Sequence, residues 1–253
     1  MRVWIRVLRA EALKIKRSLA FWLAVVMPLT VIFLQVVLIW DRGISAAGQA
    51  LGSSWLWLGR QTMVFWALLM LPLFVTLETA LAAGLEHQAD AWKHLFSLPV
   101  PRRAVYAAKL AAGLGLIALS QIVLVLGIVL AGALLAIGKP GLGFQAPVPW
   151  LSLLVYAGVT YAAAWLLVGL HTWVAVRWRS FVVATGFGIA MTVAGVIVIN
   201  SRWAAYYPWT LPAVAMNALK PGGPIPSQLP LSLLGFLIAA LVGGWEFLRR
   251  DVF

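Results

Sequence analysis

The chain has 253 residues, of which 63% are hydrophobic and only 10% charged, with a net charge of +12 and no cysteine. Soluble domains average about 45–50% apolar and about 25% charged. A chain with a mean hydropathy of +0.98 cannot cover itself with polar groups, so it requires a bilayer as solvent. This excludes a soluble enzyme, a disordered tail and a DNA-binding domain. The missing cysteines exclude a disulfide frame, a thiolate metal site, a cysteine nucleophile and a lipoprotein anchor.

In residues 1–18, Arg2, Arg6, Arg9, Lys16 and Arg17 gather towards one side at helical spacing, while Trp4, Val7, Leu8 and Ile15 contribute to an apolar side. The pattern predicts an amphipathic helix lying in the headgroup layer, with Trp4, Arg6, Arg9, Lys14, Lys16 and Arg17 as its interfacial residues. Six apolar stretches follow, at about 19–40, 63–85, 110–137, 151–173, 181–199 and 229–248. Each approaches or exceeds the roughly 20 residues that a spanning helix needs. Pro28 and Pro72 are expected to kink the first two. The first run is about twice as long as a cleavable signal core, which predicts a retained anchor. Residues 200–228 are rich in proline and glycine and read as an outer loop with a short interfacial helix around 211–219. No internal repeat and no obvious pair of broken helices is visible. The expected fold class is therefore all-α: a polytopic membrane protein forming one transmembrane domain over 1–253.

Basic residues set the orientation. Fourteen fall on one side: in the N-terminal segment, at Lys93, Arg102, Arg103 and Lys109, at Arg177 and Arg179, and at Arg249 and Arg250. Five fall on the other: Arg42, Arg60, Lys139, Arg202 and Lys220. The positive-inside rule puts both termini in the cytoplasm. Trp40, Trp55, Trp57, Trp150, Trp203, Tyr206, Tyr207 and Trp209 then mark the far interface. Small residues line up as Gly235, Ala239 and Gly243 on the sixth span and as Gly186, Ala190 and Ala194 on the fifth, which suits close helix contact.

Catalytic signatures are missing. Gly138-Lys139-Pro140 lacks the glycine spacing and the hydroxyl residue of a phosphate-binding loop. His87, His94 and His171 have no ligand spacing, so no metal site is expected. No nucleophile elbow exists. Glu78 is the one charge clearly inside a span, where it would cost about 2.5–3.5 kcal/mol at the bilayer centre. It is a candidate intramembrane polar site, or a carboxylate satisfied by a neighbour or by water.

The connection from Glu86 to Lys109 carries the most information. A spanning helix runs on with mixed polarity, stops at Pro99 and Pro101, and a new helix starts at Arg102. This predicts a stiff elbow whose Trp92, Leu95, Phe96 and Leu98 suit a hydrophobic socket on a soluble partner, within a basic rim. Glu86, Trp92-Lys93, Leu98-Pro99-Val100, Arg102-Arg103 and Lys109 resemble the elbow of ABC type-2 exporter permeases. In particular they resemble those of six-span permeases of the lantibiotic-immunity, bacitracin-resistance and sodium-efflux groups. Glu11-x-x-Lys14-x-Lys16-Arg17-Ser18 and Phe247-x-Arg249-Arg250-Asp251-Val252 also resemble the family's edges.

The resemblance implies a multi-pass permease of the bacterial inner membrane that catalyses nothing itself. Two such chains, identical or paralogous, would pair with two copies of a cytoplasmic ATPase, which would hold the ATP and magnesium. Glu86, Trp92, Lys93, Leu95, Phe96, Leu98, Pro99, Arg102 and Arg103 would form the ATPase-coupling elbow. The cargo would be amphipathic or hydrophobic: a peptide antibiotic, a drug-like toxin or a lipid. An ATP-independent channel or carrier, or a non-transporting assembly subunit, is the alternative. Membrane lipid is a partner in any of these readings, and nucleic acid in none.

Overall fold

The computed structural model describes residues 2–16, 18–44, 53–88, 100–220 and 223–249. It is an all-α polytopic membrane protein. No strand occurs among the described residues, and six helical runs are long and apolar enough to cross a bilayer. Helix α1 (Arg2–Lys16) precedes the first span, α2 (Leu19–Arg42). The second span is assembled from α3 (Ser54–Phe65), a π-helical stretch (Trp66–Met70) and α4 (Leu71–Gln88). The third is α5 (Arg102–Gly138). The fourth is split into α6 (Trp150–Ala163) and α7 (Trp165–Arg177). The fifth is α8 (Phe181–Val198), followed by the short α9 (Leu211–Ala218) and the sixth span, α10 (Gln228–Arg249).

Local chemistry explains the boundaries. Gly43 ends α2 at a φ of 70°, with its N–H bonded to the Ile39 carbonyl at 2.8 Å. A side chain at that angle would be strained. Pro72 has no N–H, and its ring crowds the carbonyl of Leu68; the π-helical stretch just before it absorbs that misfit. Pro28, in contrast, sits inside a continuous α2. The fourth span is broken at Ala164 because α10 inserts Ser232 into its ladder. The hydroxyl donates to the Ala163 carbonyl at 2.8 Å and accepts from the Leu166 N–H at 3.2 Å.

Helix α5 is the central pillar. Its 37 residues span about 55 Å, well beyond a hydrocarbon core of about 30 Å. Ile117, Gln121, Leu124, Ile128, Ala131 and Leu135 recur every three or four residues and are buried, whereas Ile122, Leu126, Leu130 and Ile137 on the other side are exposed. A helix apolar on its exposed face is one that lipid covers.

Residues 201–218 depart from the expected surface loop. After a 3-10 turn at Arg202–Ala205, Trp209 and Thr210 are buried, as are Leu211, Ala213, Ala215 and Met216 of α9. Tyr207 donates to the Met191 carbonyl at 2.9 Å and Trp209 Nε1 donates to His171 Nε2 at 3.2 Å. The segment therefore folds back into the bundle, where surrounding protein satisfies its irregular backbone. Helix α9 packs against α3 and α6 instead of lying in the interface. Trp55 is likewise internal, donating to the Ala146 carbonyl at 2.9 Å. Trp40, Trp150, Trp203 and Tyr206 are exposed. On α10, the packed line is Ser232, Phe236, Ala239, Gly243 and Phe247, which includes two of the expected small residues. On α8, Gly186 and Ala190 face outwards; Ala184, Gly188, Thr192 and Gly195 make the packed line instead.

Candidate functional site

Four charged side chains from three helices meet where α1 packs beside the end of α4 and the start of α5. In α1, Glu11 and Lys14 lie one turn apart, and Lys14 Nζ donates to Glu11 Oε1 at 2.9 Å. The same ammonium donates to Glu86 Oε1, near the end of α4, at 2.8 Å. Lys109, in the second turn of α5, approaches Glu86 Oε2 at 2.5 Å and Glu11 Oε2 at 3.8 Å. The result is a closed ring of alternating charge in which each carboxylate faces two ammonium groups. Glu11, Glu86 and Lys109 are buried, with 3–7% of each residue exposed. Lys14 closes the ring on its exposed side. Burial works against the Lys14 ammonium, but hydrogen bonds to Glu11 and Glu86 and the charges of both carboxylates outweigh it and hold its pKa above the ordinary 10.5.

The ring joins α1 to the end of α4 and the start of α5, the helices on either side of residues 89–99. Just beyond, Tyr106 packs on Phe247 of α10, with ring centroids 5.6 Å apart. Glu246 accepts from Trp173 Nε1 at 2.7 Å and pairs with Arg177, tying α7 to α10 nearby.

Glu78 lies about two turns before Glu86 on α4 and has a different environment. It is 1% exposed, and neither carboxylate oxygen has a hydrogen-bond partner among the described residues. It lines a cavity of about 20 Å³ with Thr79, Gly113 and Thr172, and the Thr172 hydroxyl is also unpartnered there. Glu11 and Lys109 line the same cavity from the ring side. No cluster of metal-ligating side chains occurs among the described residues.

Of the elbow residues expected from sequence, Glu86, Arg102 and Arg103 are described. Glu86 is in the ring, Arg102 donates to the Leu248 carbonyl at 3.5 Å, and Arg103 is exposed. Trp92, Lys93, Leu95, Phe96, Leu98 and Pro99 lie outside the described residues, as does Arg17. On α1, Trp4, Arg6, Arg9 and Lys16 are exposed, whereas Lys14 turns to the ring. Glu11 and Lys109 are the functional candidates that sequence reasoning passed over as pairing partners. The available signal was the Glu11–Lys14 spacing together with an acid ending one span and a lysine opening the next.

No curated protein and no solved structure matches the chain. A family model described as ABC-2 family transporter protein matches residues 7–195, a stretch that contains all four members of the ring. With that match reaching from α1 into the fifth of six apolar spans, the chain belongs to the ABC-2 family of membrane transport permeases.

Proposed function

We propose that this permease is the membrane half of an ATP-driven exporter in the bacterial inner membrane, with both termini in the cytoplasm. It works with two copies of a separate ATPase and with a second permease chain, identical or paralogous. The cargo is amphipathic or hydrophobic: a peptide antibiotic, a drug-like toxin or a lipid. ATP and magnesium belong to the ATPase.

The observation that carries this reading is the ring of Glu11, Lys14, Glu86 and Lys109. A force applied to the elbow by a cytoplasmic motor needs a rigid route into the spans. The ring supplies one by fixing both flanks to each other and to α1. The segment around Trp209, tied to His171 and Met191, would gate release at the other end. Co-purification tests the proposal. A tagged chain should bring down a Walker-type ATPase, and its deletion should sensitise cells to amphipathic toxins. Absence of any ATPase together with unchanged sensitivity would overturn it.

A further inference from the structure

Beside the ring, helix α1 and the first part of α5 leave a gap. A groove of about 370 Å³ runs between them, lined by Leu8, Ala12, Ile15, Phe21, Ala111 and Gly115, with Lys16 at its edge. Its α5 wall runs from Ala108 to Leu116 and is mostly alanine and glycine, a length of about 12 Å. The gap is open at Gly115, where an added Cβ meets nothing within 4 Å. Phe21 stands two residues inside the first span, so the groove lies where hydrocarbon gives way to headgroups. Leu13, Leu19 and Trp22 beside it are 69%, 60% and 59% exposed, which continues the apolar surface outwards.

Two charges complete the picture. Lys16 and Arg9 are seven residues apart on α1 and so share one stripe. Both are exposed, and neither has an acidic partner among the described residues, unlike Lys14 in the ring. A peptide in the groove would bring N–H and C=O groups that its apolar walls cannot satisfy. A hydrocarbon tail brings none, and a phosphate at its end would meet the free cations.

We infer that this groove holds one acyl chain of an anionic phospholipid, with the lipid phosphate on Lys16 and Arg9. Native mass spectrometry of the purified chain tests it, using phosphatidylglycerol and phosphatidylcholine of identical acyl chains. Phosphatidylglycerol should be retained on the order of tenfold better, as two basic side chains beside one anionic headgroup predict. Gly115→Leu should lose both lipids by filling the groove. Arg9→Gln with Lys16→Gln, both at exposed positions, should keep lipid but lose the preference. Equal retention of the two lipids by the unmodified chain, or full retention by Gly115→Leu, overturns the inference.

Discussion

Lys109 Nζ lies 2.5 Å from Glu86 Oε2, joining the helix that leads into the elbow to the helix that leaves it. Both groups are buried, and this is the shortest contact either makes in the ring, so each charge draws much of its compensation from the other. Removing one partner of a buried pair typically costs about 3–5 kcal/mol, and the second contacts to Lys14 and Glu11 bring the expected loss here to the lower end of that scale. Glu86→Gln and Lys109→Met should each destabilise the purified chain on that scale. The double variant should recover part of the loss, with a coupling of about 0.5–3 kcal/mol. Chemical denaturation of the four proteins measures this. Strict additivity would mean that the two side chains do not act as a pair.

The Lys14 side of the ring gives a pH dependence. Its pKa is raised above the ordinary 10.5 by the two carboxylates despite burial. A raised ammonium contributes stability that is fully present below the unfolded-state value and is lost as pH rises through the folded-state value. The stability gap between the native chain and Lys14→Met should therefore stay constant from neutral pH to about 10 and close only above 10.5. Melting curves at stepped pH read it directly, and a gap that closed near pH 8 would contradict the ring geometry.

Coupling through the elbow has its own test. Trp92→Asp and Leu98→Asp change residues outside the ring, so the spans should insert and the ring should form. If the elbow seats in an ATPase socket, a charge at either position disrupts an apolar contact of the kind that dominates protein interfaces. Reconstituted transporter should then hydrolyse ATP without moving cargo. Normal coupling in both variants would remove the elbow from the mechanism.

These sites differ in how far the amino-acid sequence revealed them. The six spans were legible because bilayer thickness imposes a run length and composition reports it. Glu86 and Lys109 were visible as charges flanking a proline-broken connection, but their pairing through Glu11 and Lys14 joins residues 72 positions apart in sequence. The contact of Trp209 with His171 left no local trace. A tryptophan in a proline-rich segment reads equally well as an interface anchor, and only tertiary packing turned it inward. The packed line on α8 is hidden for a related reason. Small residues at 186, 190 and 194 fit a contact stripe as well as those at 184, 188 and 195, and the partner helices decide between them.

That choice on α8 predicts a contrast between two glycines. A Cβ on Gly188 would run into the Thr76 side chain and come within 2.7 Å of His171 Cε1. A Cβ on Gly186 would meet nothing within 4 Å. Gly188→Ala should cost about 1–3 kcal/mol through overpacking. Gly186→Ala should be neutral or slightly stabilising, since alanine is the better helix former. Thermal stability of the two purified variants decides it. Equal effects would place both faces of α8 in the same environment, against the packing seen here.

Glu78 sharpens the separation between stability and function. Glu86 on the same helix is matched by two lysines, whereas Glu78 is buried with both oxygens unpartnered among the described residues. A buried polar group left unsatisfied costs about 1–3 kcal/mol, and an apolar residue of similar volume should recover some of that. Glu78→Met is therefore expected to melt at a higher temperature than the native chain. If the carboxyl group serves transport, cargo flux in reconstituted vesicles should fall in the same variant, with Glu78→Gln intermediate because it keeps the shape and polarity. This pairing of gained stability with lost activity is what a site held against its folding cost produces. A less stable Glu78→Met would show that the carboxyl group is satisfied in the membrane. A more stable variant with full transport would show that it has no part in moving the cargo.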